Sequence, residues 1–376
     1  MNRKIENIVI AVFFCGFLAI MLLGYLFLPK DTFSQKEKRY LAKQPEFTWK
    51  TLLSGELGEQ IEEYLSDHIP GRDFYVGINA AVNLGTGRQI TEDVRLLEGG
   101  RIVEAPVVWN QQNIHKNMQA ISDFAESAGR DVNLMIVPSA GWAAESRRIR
   151  GMDLFSQETY ADEEYISAIY ALAGESVRTM DVIPVLRNRE DSYYRTDHHW
   201  NSRGAYGVYC RVMEELGRSY APEDAFTVEV IPGFQGSTYT RSGLWTVEAE
   251  TLELWHSDSP LITRNAETEG THEGVFYRDR LVEADKYTVY LDGNHSLVRV
   301  ENPALEGTGK LLVIRDSYAN SLGCFLAESY ECVVLVDLRY YKKPVSELLA
   351  QEEFSDILIC YSIGNFMTDT NLVWLR

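Results

Sequence analysis

Three short runs in the last quarter of the chain constrain its fold more than any other feature: L-L-V-I (311–314), V-V-L-V (333–336) and I-L-I-C-Y (357–361). Each is almost wholly apolar. A strand with one wet face alternates apolar and polar residues, whereas one buried on both faces does not. Ser317 to Ala327 and Val345 to Gln351, which separate the runs, read as helices. Strand, helix, strand, helix, strand in that order closes as a parallel sheet covered by helices. The alternation starts near residue 95. It predicts a helix over Asn110 to Ala128, a strand over Val132 to Val137 and a helix over Tyr160 to Glu175. A strand over Asp181 to Leu186, weakened by Pro184, follows. Arg203 to Leu216 reads as a helix capped by Asn201 or Ser202. Residues 225–300 are rich in Thr, Gly, Tyr and Val, with turns at P-G-F-Q-G and D-G-N, and read as a β-rich insertion.

The other strong signal is N-terminal. Ile8 to Leu28 is 21 residues without a charge. As a helix it would be about 31 Å long, close to the thickness of a hydrocarbon core. It ends in Leu-Pro-Lys, with no small-x-small cleavage site, and so reads as an uncleaved anchor. Arg3 and Lys4 favour a cytoplasmic N-terminus, which leaves the rest of the chain outside the membrane. The expected organisation is an anchor over 1–30, a juxtamembrane helical segment over 31–94 and an α/β domain over 95–376. Leu52, Leu53, Leu57, Ile61 and Leu65 have helical spacing and are expected to pack the juxtamembrane segment on the main domain.

A net charge of -19 argues against nucleic-acid binding, because nothing neutralises the phosphates. The five cysteines have no zinc-like spacing. They read as buried free thiols, apart from Cys15 in the apolar run, with one disulfide left open.

R-T-D-H-H-W, Arg195 to Trp200, is the densest chemical motif. In an extended segment Asp197 and His199 would share one face, with His198 on the other. That weakens a metal site on both histidines, and neither a metal nor a cofactor is expected. A nucleophile is available at Ser317, three residues past the strand in L-L-V-I-R-D-S-Y. There its hydroxyl would project at the carboxyl end of the sheet, where open α/β folds place ligands. The first-turn N–H groups of the following helix would point toward an oxyanion; a plain helix cap is the competing reading. Asn365, in S-I-G-N after a neighbouring strand, could donate to the same oxyanion. Assembled, these parts make an acyl-transfer site: Ser317 the nucleophile, His199 its base and then acid, Asp197 the group that orients the imidazole. Tyr318 and Trp200 are further candidates for oxyanion or substrate contact, although packing behind His199 is the favoured reading for Trp200.

D-S after a strand, an Asn past a later strand and an Asp/His pair resemble the blocks of SGNH hydrolases. The order here, Asp197/His199, then Ser317, then Asn365, is permuted, and resembles bacterial alginate O-acetyltransferases. The full D-H-H-W, with upstream F-S-Q-K-E-K-R-Y-L and Y-L-S-D-H-I-P-G-R, resembles the DHHW proteins in particular. Two positions depart from the SGNH pattern. Arg315 stands where Gly precedes Asp-Ser, and Phe366 follows Asn365 in place of Asp. The resemblance implies an SGNH-like parallel sheet and an envelope location. It also implies O-acetyl transfer to a cell-surface polysaccharide, beside a multi-pass membrane O-acyltransferase that delivers the acyl group. Acetylester hydrolysis and a non-catalytic scaffold or glycan-binding role are the alternatives.

Overall fold

The computed structural model describes residues 3–89, 91, 93–144, 149–150, 159–187 and 190–376. The apolar N-terminal run forms one helix, α1 (Arg3–Phe27), long and apolar enough to cross a membrane and with no residue buried against the rest of the chain. Three helices follow: α2 (Trp49–Ser54), α3 (Glu56–Asp67) and α4 (Arg72–Gly85). Gly55 separates α2 from α3 in the left-handed conformation, φ 83°, which a residue with a Cβ adopts only at a cost. The apolar stripe expected to pack here does so at one position. Leu57 is buried, but Leu52, Leu53, Ile61 and Leu65 are exposed. A short hairpin, β1 (Val94–Leu97) and β2 (Ile102–Glu104), leads into α5 (Gln111–Ala128). Asn110 caps α5 by accepting from the Asn113 N–H, and Gly129 ends it in the left-handed region.

The main sheet has eight strands. In chain order they are β3 (Val132–Val137), β4 (Val177–Thr179), β7 (Ile262–Asn265), β8 (His272–Glu273), β9 (Leu297–Glu301), β10 (Lys310–Arg315), β11 (Cys332–Val336) and β12 (Asp356–Ser362). Across the sheet they run β8-β7-β9-β11-β10-β12-β3-β4. The five from β11 to β4 are parallel, and β9, β7 and β8 add an antiparallel flank. A further pair, β5 (Thr227–Phe234) and β6 (Glu250–His256), forms a separate ribbon. Four central strands are buried along nearly their whole length, as the unbroken apolar runs require. The flanking helices are α5, α6 (Asp162–Tyr170), α7 (Ile183–Arg187), α8 (Ser202–Glu215), α9 (Ala319–Leu326), α10 (Val345–Gln351) and α11 (Ile363–Thr368).

This is the mixed α/β architecture expected, with three differences. Asp181 to Leu186 is not a strand. Asp181 accepts from the Ile183 N–H and starts α7, and Pro184 sits in the first turn, where its missing N–H costs nothing; the strand is Val177–Thr179. Residues 225–300 are not wholly a separate insertion, because β7, β8 and β9 extend the main sheet. The helix after β10 begins at Ala319 rather than at Ser317.

Connections decide where a site can lie. From β10 the chain crosses to β11 on one side, and from β3 it crosses to β4 on the other. Between these divergent crossovers the carboxyl ends of β10 and β12 are left uncovered by either connection, the kind of crevice in which open α/β sheets bind ligands.

Candidate active site

Asp197 and His199 sit on a loop whose two ends are tied together. Tyr193 and Trp200 form an isolated antiparallel bridge, and the Asn201 N–H donates to Ser192 O (2.9 Å). Beyond the bridge Asn201 caps α8, with its side chain accepting from the N–H groups of Arg203 and Gly204. Within the loop Asp197 Oδ1 accepts from the His199 N–H (2.9 Å) and bonds His199 Nδ1 (2.6 Å). Its second oxygen accepts from the Ser237 N–H (2.7 Å). That approach needs Gly236, where any Cβ would overlap the Asp197 side chain. Burial alone would raise the Asp197 pKa. The imidazoles of His199 and His198 and the Ser237 N–H outweigh it and hold the carboxyl well below its ordinary range.

The loop is bent rather than extended, so the expected alternation of side chains fails. His198 does not point away: its ring lies 3.8 Å from that of His199, centroid to centroid, and its Nδ1 bonds Ser237 Oγ at 2.5 Å. Ligand atoms of Asp197, His198 and His199 consequently fall within 4.8 Å of one another. Burial, and then the neighbouring His199, lower the His198 pKa.

Ser317 lies past β10 in the turn before α9 and is 8% exposed. Its Oγ is 2.8 Å from His199 Nε2, across 118 residues of chain. With the carboxylate on Nδ1 the proton belongs on that nitrogen, so Nε2 is free to accept from the hydroxyl; this tautomer follows from the hydrogen-bond network. Tyr287 completes the wall. Its ring stacks on His199 at 3.9 Å with an interplanar angle of 4°, and its hydroxyl bonds Ser321 Oγ (3.2 Å). Tyr287 lies in a 3-10 turn of the segment read as an insertion, and neither a motif nor periodicity marks it in the sequence.

The residue before the serine fixes its turn. Asp316 is fully buried. One oxygen accepts from the Tyr318 N–H (2.9 Å); the other takes the Ser362 N–H, the Ser362 hydroxyl and the Asn365 amide, each at 2.8 Å. Asp316 thus ties the turn after β10 to the turn after β12. Among the described residues the Asn365 side-chain amide donates to Asp316 rather than toward Ser317. Arg315, in place of glycine, is also fully buried. Its Nη1 donates to Asn320 (2.6 Å) and Asn294 (3.1 Å), while Nε and Nη2 have no partner among the described residues.

Neither Trp200 nor Tyr318 is free for substrate: Trp200 packs, as its favoured reading has it, and the substrate role expected of Tyr318 is corrected. Trp200 has no exposed surface; its Nε1 donates to Tyr318 O (3.1 Å) and Ser321 Oγ (2.9 Å). Tyr318 is 2% exposed and donates its hydroxyl to His198 O. Both side chains are consumed in clamping the histidine loop to the start of α9. No disulfide forms among the described residues, and Cys324, Cys332 and Cys360 are buried.

Comparison with known proteins follows the same lines. No curated protein matches the sequence. A DHHW family protein of known structure from Eubacterium siraeum is similar at 19% identity and a TM-score of 0.64, over 74% of this chain and 94% of that one. Bacillus cereus PatB1 with a sulfonyl adduct is similar at 19% identity and a TM-score of 0.61, over 74% and 97%. At such identities the likeness is one of fold, and it agrees with the mostly parallel, helix-flanked sheet described above. The model of the DHHW protein family matches residues 164–336, so the chain carries a DHHW family match over the stretch that holds both the histidine loop and Ser317.

Proposed function

We propose that the chain is a membrane-anchored, extracytoplasmic enzyme that transfers acetyl groups to hydroxyls of a cell-surface polysaccharide through an acyl-serine. The single observation that carries this reading is the line from Asp197 through His199 to Ser317, with bonds of 2.6 and 2.8 Å. Ser317 Oγ attacks the carbonyl carbon of an acetyl donor and passes its proton to His199 Nε2. The bond from that carbon to the leaving oxygen or sulfur breaks, and the imidazolium returns the proton to the leaving group. A sugar hydroxyl then attacks acetyl-Ser317 by the same steps and frees the serine. Asp197, held ionised, orients the imidazole and balances its charge. The Ser317 N–H and the second Asn365 amide hydrogen are the proposed oxyanion donors. Apolar helix α1 supports the anchored location, and a multi-pass membrane O-acyltransferase is the proposed source of acetyl groups.

Acetylester hydrolysis uses the same intermediate with water as acceptor. Acetate release from an aryl acetate, with and without oligosaccharide, separates the two: a transferase diverts acetyl onto sugar. Ser317→Ala abolishes both products and removes O-acetyl groups from the envelope glycans of a strain that carries it. An unchanged acetyl pattern in that strain would leave only a scaffold or glycan-binding role.

A further inference from the structure

Helix α4 has two faces of different fate. On one, Ala80 is buried among Val94, Leu96 and Tyr239, and Gly77 lies so close to Trp245 that a Cβ would stand 3.2 Å from the indole. On the opposite face Tyr75, Ile78 and Val82 follow the i, i+3, i+7 spacing of a single stripe, and they are 39, 43 and 54% exposed. A soluble helix carries polar residues opposite its packed face, so a stripe of this kind marks a contact with something else.

The neighbour at the start of the stripe is the apolar helix α1. Tyr75 Oη is 3.7 Å from Met21 Sδ, and Pro70 packs on Gly24. Met21 lies seven residues before Leu28, where the uncharged run ends, or about 10 Å along a helix. With α1 spanning a bilayer, the stripe begins about 10 Å inside the outer edge of the hydrocarbon, the depth to which an interfacial helix buries its apolar face. The preceding segment carries side chains suited to such an interface. Tyr40, Phe47 and Trp49 are at least 73% exposed, the residue types that gather at membrane interfaces. Residues 29–50 hold six Lys or Arg against three acids, in a chain whose net charge is -19.

We infer that the outer surface of a phospholipid bilayer covers this face. Helix α4 lies in the interface with Tyr75, Ile78 and Val82 toward the acyl chains, and the α/β domain is held at a set attitude above it. The inference rests on α1 crossing the membrane, and the test reads the two separately. The full chain is reconstituted in phosphatidylcholine nanodiscs, with and without phosphatidylglycerol. It carries an environment-sensitive fluorophore on native Cys15 in one sample. In the others it carries the fluorophore on Ile78→Cys, Val82→Cys or Val282→Cys, in a Cys15→Ser, Cys210→Ser background. Nitroxide lipids labelled deep or near the headgroup serve as quenchers. Cys15 is quenched by the deep label. Positions 78 and 82 lose about half their emission to the shallow one. Position 282, which is 91% exposed on the α/β domain, loses none. Quenching at Cys15 with none at 78 and 82 overturns the inference and leaves the anchor standing. Absence of quenching at Cys15 removes both.

Discussion

Replacing Trp200 by phenylalanine tests whether a buried clamp, rather than the triad alone, sets the geometry of this site. The substitution keeps an aromatic ring in a position with no exposed surface and removes one donor. That donor serves Tyr318 O at 3.1 Å and Ser321 Oγ at 2.9 Å. Ser321 keeps the Tyr287 hydroxyl at 3.2 Å, so its loss is partial. Tyr318 O is left buried without this partner, and a buried group stripped of its bond costs about 1–3 kcal/mol. Chemical denaturation of the full chain in detergent is expected to show a loss in that range, with Trp200→Ala at about 3–5 kcal/mol. Trp49→Phe, at a 75% exposed position, changes nothing and serves as the control. Reactivity should suffer more than stability. The clamp holds His199 against Ser317, and a misplacement near 1 Å costs on the order of 100-fold in rate. Labelling of Ser317 by an aryl sulfonyl fluoride, followed by mass spectrometry, reads that rate without any assumption about the natural substrate. A Trp200→Phe protein that unfolds with the wild type and labels Ser317 at the wild-type rate would refute the reasoning.

Other expectations follow from single contacts. Asp197→Asn slows sulfonylation of Ser317 and acetate release by about 10³–10⁴-fold, because the imidazole loses the carboxylate that fixes its tautomer. The same pair of proteins has a pH signature. A carboxyl held below the ordinary 3.8 adds stability that is present above that value and is lost as the pH falls below it. The difference in unfolding free energy between wild type and Asp197→Asn should therefore be constant above about pH 5 and shrink below pH 4, as titrated denaturation would show. Gly236→Ala forces Asp197 off the Ser237 N–H and is expected to lower the unfolding midpoint and labelling rate together, whereas Ser237→Ala, which keeps that N–H, spares the rate. Arg315→Met is expected to stay within about 1 kcal/mol of wild type in thermal unfolding. It removes two buried nitrogens, Nε and Nη2, that have no partner among the described residues, while Asp337 keeps Arg339 at 2.6 Å and Asn320 keeps Asn294 at 3.2 Å.

Much of the sheet was legible because its strands are buried on both faces and read as unbroken apolar runs. The runs at 311–314, 333–336 and 357–361 lie within β10, β11 and β12, and Val132–Val137 is β3. Asp181 to Leu186 was misread because a short apolar stretch suits a strand or a helix, and the Asp181 cap that decides between them is a side-chain contact. The motif residues could be found because Asp197, His199 and Ser317 each stand at a chemical signal. The groups that position them give none. Gly236 and Tyr287 act through contacts between segments distant in the chain, and periodicity carries no information about those. The orientation of His198 was missed for a related reason. The rule of alternating faces holds for an extended strand, and the bridge between Tyr193 and Trp200 bends this loop away from one.

The histidine loop precedes its serine by 118 residues, and the Asp316 carboxylate that shapes the serine turn takes its partners from still later positions, Ser362 and Asn365. A polypeptide emerging N-terminus first has its imidazole ready long before it has anything to activate. The site can assemble only once synthesis has passed Asn365. The newborn chain is thereby chemically silent at Ser317 until its last strand and the turn after it are in place.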